Sequence, residues 1–313
     1  MHRYILRRLV HLLPVLLITS FLVFAMLLLL PGDPTFALLG EQASQADRLL
    51  LRQKLGLDQP IPLQYLHWMG STLSGDLGRS LRTQEPVIEM LTTRIPVTLE
   101  LTLLAIGLSI VIGLPAGIVA ALWRNSWLDV TASMVGMAGI AMPYFWMGIL
   151  LIMLFSLTLG WLPPSGYVPF TVDPLANLKL MILPSLTVGS AMTALVMRQT
   201  RTSMLQVLSQ DYVRTARAKG ASEASVVLGH ALRNALIPVV TVVGLQTGAL
   251  VSGAVVTETI FSLPGLGRMV VEGIFERDFA PVQAAILVIV LGVLLVNLLT
   301  DLSYAALDKR IKL

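Results

Sequence analysis

Six apolar runs, each long enough to cross a bilayer as a helix, punctuate this sequence. A hydrocarbon core about 30 Å thick takes about 20 apolar residues in helical form. The candidates are Val10 to Leu30, Val97 to Leu122, Val130 to Leu159, Leu178 to Met197, Leu236 to Phe261 and Val282 to Leu302. Of the 313 residues, 55% are hydrophobic and 13% charged, whereas soluble domains carry about a quarter charged residues. The expected fold is therefore an all-α integral membrane protein with six transmembrane helices. The first run exceeds the usual signal-peptide core of about 7–15 residues and no small-x-small cleavage site follows it, so it reads as an uncleaved anchor. Pro143 predicts a kink or tilt in the long third run. Gly113/Gly117 and Gly244/Gly248 give the spacing that lets membrane helices approach closely. Without cysteine, the chain has no disulfide, thiolate metal site or cysteine nucleophile.

Charge sets the orientation. With six spans and the N-terminus inside, 13 of 22 basic residues but only 5 of 18 acids fall on the inner side. That is the positive-inside arrangement, with both termini cytoplasmic. Net charge is +4, and its distribution marks a membrane orientation, with no nucleic-acid partner. The organisation that follows is residues 1–30 as the inner end and first span, 31–96 as an extracytoplasmic helical segment, 97–306 as a five-span core with a cytoplasmic loop at 198–235, and 307–313 as a tail.

In the outer segment, Ser44 with Asp47 resembles a helix-capping pair, and Gly56 would close that helix. Further short helices are expected from Leu63 to Leu73 and from Pro86 to Thr93, with a turn at Gly75 to Gly78. His67 beside Trp68 reads as a solvated histidine next to an interfacial tryptophan. A second outer loop, Glu258 to Ala284, bends at Pro264, Gly265 and Gly267 and then forms a short interfacial helix from Arg268 to Glu276. Neither loop has catalytic or metal-ligand spacing.

The segment DYVRTARAKGASEASVVLGHALRNALIP, Asp211 to Pro238, breaks the apolar pattern. Ser203 to Lys219 has helical periodicity, with Leu205, Leu208, Tyr212, Val213 and Ala216 on one side. Gly220 stands where a left-handed cap ends a helix. Ser222 is a good N-cap, and Glu223 suits the positive start of a second, short helix reaching about Asn234. Helix, tight glycine turn and short helix make a lever in the cytosol, joined directly to two spans.

Aligned on Gly220, this segment resembles the cytoplasmic coupling loop of ATP-binding-cassette importer permeases. That pattern is Glu-Ala-Ala, three residues, Gly, nine residues, then Ile-x-Leu-Pro. Arg214-Thr215-Ala216 falls on the first part and His230-x-Leu232-Arg233 on the second; the leading acid and the proline are absent. RTARAKG followed by HALRNALIPVVT is similar to the peptide/nickel/opine branch. So are PGDP at Pro31, GDLGRS at Gly75, FSLPGLGR at Phe261, RDFAPVQ at Arg277 and ALDKRI near the end, in order along the whole chain. The resemblance implies a type I importer permease fold. It also implies a second homologous permease subunit, two ATP-binding subunits and an extracytoplasmic substrate-binding protein. Arg214, Ala216, Lys219, Gly220, Ala221, Ser222 and Glu223 would couple to the ATPases. No GxxxxGK[ST] loop occurs here, so ATP and its Mg would be bound by those partners, with no cofactor in this chain. The implied cargo is a di- or oligopeptide or a glutathione-like peptide, with nickel chelates or opines as the alternative. Thr241, Gln246, Thr247 and Ser252 of the fifth span are candidate pathway-lining residues, or equally helix–helix contacts.

Two other classes fit this sequence less well. An ion-coupled secondary transporter keeps ionisable residues near mid-membrane, and the expected spans hold few: Glu100 falls in the outer half of the second and Asp301 near the inner end of the sixth. An intramembrane enzyme needs an acid–base or nucleophile pair facing a cavity, yet His2, His11, His67 and His230 all lie at or beyond the membrane edges.

Overall fold

The computed structural model describes residues 2–29, 44–54 and 58–307, and among them the main secondary structure is helix. In chain order the helices are α1 (His2–Leu29), α2 (Gln45–Lys54), α3 (Ile61–Leu73), α4 (Val87–Leu122), α5 (Trp127–Ala141), α6 (Tyr144–Leu151), α7 (Pro174–Leu208), α8 (Asp211–Ala218), α9 (Leu232–Ile260), α10 (Leu266–Glu276) and α11 (Phe279–Leu307). A π-helical segment, Ile152–Thr158, extends α6, and another, Ser225–Ala231, leads into α9.

Among the described residues, four helical stretches are long and apolar enough to cross a membrane: Val87–Leu122, Pro174–Leu208, Ser225–Val251 and Phe279–Thr300. The third run, where Pro143 predicts a kink or tilt, is a broken pair, Trp127–Ala141 and Tyr144–Thr158, bent by 116°. Pro143 sits in extended conformation at the break and caps α6. It has no amide hydrogen to continue the ladder, and it forces Met142 out of helical geometry as well. Counted as one crossing, the pair is a fifth. In α1, the apolar stretch among the described residues is Leu12–Ala25, shorter than a full crossing. PGDP, Gly56 and the tail from Asp308 lie outside the described residues, as do the side chains of Arg3, Arg7, Arg8 and Asp301.

Other boundaries differ from expectation. The helix foreseen from Pro86 to Thr93 merges with the second span into α4, passing through Pro96. A proline there frees only the Thr92 carbonyl, and Thr92 is exposed and can be solvated. The fourth span and the first third of the expected lever helix form the single rod α7, 35 residues long.

The chain divides into two compact units. In the one formed by residues 1–96 and 265–292, Val87 and Leu91 of α4 pack with Leu266 and Met269 of α10 and Ala284 and Ala285 of α11. A small hairpin, closed between Arg79 and Pro86, is tied to the corner before α11. There the buried Asp278 carboxylate accepts from Ser80 Oγ and, at 2.9 Å, from the Leu81 amide. Gly75 and Gly78 take φ of +88° and +80°, as the GDLG turn requires. Tyr65 of α3 bonds Ser20 of α1 at 2.8 Å and stacks edge-on with Phe21 and Phe24, and Trp68 joins this cluster.

The other unit, residues 97–264 and 293–313, is built around α7. In its most apolar stretch 61% is buried, against 28% for α4. The reason lies in small residues on its neighbours. A β-carbon at Gly113 would come within 2.7 Å of the Thr193 carbonyl oxygen, and one at Gly117 within 2.5 Å of that of Met197. α4 therefore lies directly on the α7 backbone, as its glycine spacing anticipates. Val97, Leu101, Met181, Leu183, Val188, Met192, Leu250 and Phe261 fill the core between α4, α7 and α9.

Candidate functional site

α8 ends in a complete Schellman motif. Gly220 is left-handed at φ +80°. Its amide donates to the Arg217 carbonyl at 2.9 Å, and the Ala221 amide donates to that of Ala216 at 3.2 Å. Only glycine takes this backbone without strain. Helix resumes at Glu223, where Ser222 Oγ accepts from the Ser225 amide at 3.4 Å as its N-cap. Across the turn, Arg217 Nε donates to Glu223 Oε1 at 2.7 Å and Nη2 to Oε2 at 3.2 Å. The guanidinium holds the Glu223 carboxyl below the usual carboxylate range. Both groups are largely solvated, so the pair shapes the turn more than it stabilises the fold.

Two expectations about this lever need correction. Ser203 to Lys219 is not one helix: the rod α7 stops at Leu208, and Gln210 takes an extended backbone before α8 begins. Ser209 Oγ bonds back to the Gln206 carbonyl at 2.8 Å, the kind of local bond by which serine competes with helix continuation. The second helix is not short, because it continues through the π-helical segment into α9, with Pro238 inside that helix. The lever is thus an elbow between two long rods.

Its apolar side is buried within this chain. Val213, Val226 and Ala231 are fully buried, and Val227 and Ala231 pack with Met204 of α7 and Ala121 of α4. Tyr212 Oη accepts from Asn234 Nδ2 at 2.8 Å and donates to the His230 carbonyl at 3.4 Å. Of the seven expected coupling residues, Arg214, Lys219, Gly220, Ser222 and Glu223 are exposed, while Ala216 and Ala221 are half-buried beneath them. They form one contiguous ridge. Leu228 is 61% exposed on the π-helical segment beside it, an apolar position that sequence reasoning passed over.

The expected pathway residues all lie on α9. Thr241 Oγ1 donates to the Ile237 carbonyl at 3.0 Å and Thr247 Oγ1 to that of Val243 at 2.8 Å, so each hydroxyl bonds within its own helix. Gln246 is half-buried, and the side chain of Ser252 lies outside the described residues. Sequence reasoning missed the carboxylate of Glu258, which is fully buried and accepts from Thr98 Oγ1 at 2.6 Å. Its position inside the apolar run Leu236 to Phe261 is the signal that marks it. Glu100 accepts from the Tyr167 hydroxyl at 2.8 Å. Burial first, and Glu100 second, push the Tyr167 phenol up to about 12. Among the described residues no group of three or more His, Cys, Asp or Glu could hold a metal ion.

Comparison with known proteins gives these features a context. Residues 113–313 match the family described as "Binding-protein-dependent transport system inner membrane component", and residues 1–102 match its N-terminal component. The chain is 45% identical over 312 residues to the glutathione transport system permease protein GsiC of Escherichia coli (strain K12), covering 100% of this chain and 99% of that protein. The GsiC protein of Salmonella choleraesuis (strain SC-B67) is also 45% identical over 312 residues, with the same coverage. Among solved structures, the inward-facing MetNI methionine ABC transporter matches with a TM-score of 0.59 at 18% identity, over 72% of this chain and 99% of that one. An amino acid ABC transporter solved with histidines matches with a TM-score of 0.51 at 17% identity, over 70% and 94%.

Proposed function

The chain belongs to the family of binding-protein-dependent transport system inner membrane components, and on that premise we propose that it carries glutathione or similar short peptides across the cytoplasmic membrane. As a permease of an ATP-binding-cassette importer it is a transport subunit, and hydrolysis of ATP belongs to separate subunits that work with it. The observation carrying the cargo assignment is the 45% identity, end to end, with the glutathione permease of Escherichia coli.

The exposed ridge around Gly220 suits a docking role. It is rigid because the Schellman motif, the Ser222 cap and the Arg217–Glu223 fork fix it. Two long helices leave it, so a push at the elbow moves both rods. In this reading Arg214, Lys219, Gly220, Ser222 and Glu223 enter a cleft of an ATPase subunit, with Ala216 and Ala221 supporting them. ATP and Mg are bound by two such subunits. A second, homologous permease completes the pathway, and an extracytoplasmic binding protein delivers the cargo. The N-terminus and the tail lie on the cytoplasmic side, α1 serves as a further crossing, and Thr241, Gln246, Thr247 and Ser252 border the route.

The test is reconstitution. This chain, its sister permease, both ATPases and the binding protein are placed in proteoliposomes and supplied with radiolabelled glutathione and ATP. ATP-dependent accumulation that requires this chain is expected. A complex that hydrolyses ATP but accumulates no glutathione or dipeptide defeats the cargo assignment.

A further inference from the structure

We propose that Asp129 and Arg201 form a positioning clamp that carries movement of the elbow into the broken helix pair α5–α6; the idea rests on the transport reading above. Arg201 Nε donates to Asp129 Oδ1 at 2.6 Å and Nη2 to Oδ2 at 2.8 Å. The same carboxylate accepts from the Asn125 amide at 2.9 Å, and Ser126 Oγ accepts from the Asp129 amide at 3.4 Å. Asn125 is held in the left-handed region at φ +61°. One buried side chain, only 4% exposed, therefore fixes the turn between α4 and α5 and grips α7, while Ser126 caps the start of α5 on the same residue's amide.

Position and stiffness make this grip mechanical. Arg201 lies seven residues before Leu208, the last residue of α7 before the elbow, about two helical turns or roughly 10 Å along the rod. Farther along α5, two glycines face α7. Gly136 faces the Met197 side chain, and Gly139 faces the Ser190 carbonyl and Ala194. Such surfaces permit shear, the small sliding by which packed helices move. A two-point guanidinium–carboxylate fork does not slide, because both distance and direction are specified. Burial strengthens it, since the low dielectric makes separation of the charges costly. When α7 is pushed from the elbow, α5 must follow at its inner end, and the 116° break at Pro143 is where that displacement is taken up.

The experiment uses the reconstituted importer and reads glutathione moved per ATP hydrolysed, alongside assembly yield and receptor-independent hydrolysis. For Asp129→Asn the ratio is expected to fall about tenfold, the scale of an ordinary coupling energy between sites, with hydrolysis itself retained. Arg201→Lys keeps the charge, and with it the fold, but loses the fork; a several-fold fall is expected there. A double variant, Asp129→Cys with Arg201→Cys, is selective because the chain has no other cysteine. Bridging it with a short bifunctional thiol reagent is expected to restore the ratio. A wild-type ratio in either Asp129→Asn or Arg201→Lys, or no recovery on bridging, overturns the clamp. If Asp129→Asn does not assemble, Arg201→Lys decides. An unsubstituted complex that moves no glutathione defeats the cargo assignment, which is a separate failure.

Discussion

Replacing Gly220 separates two ways in which the elbow could matter. A β-carbon at this position meets nothing within 4 Å, so Gly220→Ala creates no clash inside the chain. Its cost comes from the backbone alone. At φ +80°, an L-residue loses about 1–2 kcal/mol relative to glycine. That corresponds to a fall of roughly five- to thirtyfold in the fraction of elbows holding the docking shape. Asparagine tolerates the left-handed region better than alanine does, so Gly220→Asn should lose less. Proline cannot reach positive φ and lacks the amide that bonds Arg217 at 2.9 Å, so Gly220→Pro should abolish stimulation. Receptor-stimulated ATP hydrolysis in nanodiscs, normalised to the amount of assembled complex, gives the ranking. The expected order of activity is Gly, Asn, Ala, Pro. If asparagine, the bulkier side chain, proves worse than alanine, then space in the partner's cleft and not backbone strain governs the position. If all three variants equal the unsubstituted protein, the elbow has no coupling role.

Helix packing and titration supply two further tests. Gly117→Ala drives a β-carbon to within 2.6 Å of Thr200 Cβ and 2.5 Å of the Met197 carbonyl oxygen, an overpacking worth about 1–3 kcal/mol; thermal unfolding in detergent should show the loss. Gly107→Ala in the same helix meets nothing within 4 Å and should be neutral or slightly stabilising. Burial raises the Tyr167 phenol to about 12, so its contribution is intact below the ordinary tyrosine value of about 10 and is lost as pH rises through about 12. Ultraviolet titration should show one tyrosine ionising late, and Tyr167→Phe should remove that late component.

Much of this architecture is legible along the chain because membrane constraints are one-dimensional. A bilayer demands unbroken apolar helix, and such runs announce themselves in Leu178 to Met197 or Val282 to Leu302 without knowledge of any contact. The elbow is legible for a similar reason: Gly220 acts through its own backbone and Ser222 through a side-chain cap three residues on. Where local signals compete, the reading fails. A helix end is expected before Pro96, which a continuous helix passes, whereas the kink expected at Pro143 is a break of 116°. Ser209, an ordinary serine in a helical pattern, ends a rod of 35 residues.

The sequence alone determined that this is a bundle of apolar helices with a charged, glycine-hinged elbow, since hydropathy and capping are properties of neighbouring residues. Only the tertiary structure decided which helix lies at the centre of its unit, that Asp129 holds Arg201 across 72 positions, and that Glu258 finds Thr98 across 160. Partners of buried charge are chosen by packing, and packing joins residues whose separation along the chain carries no local signal.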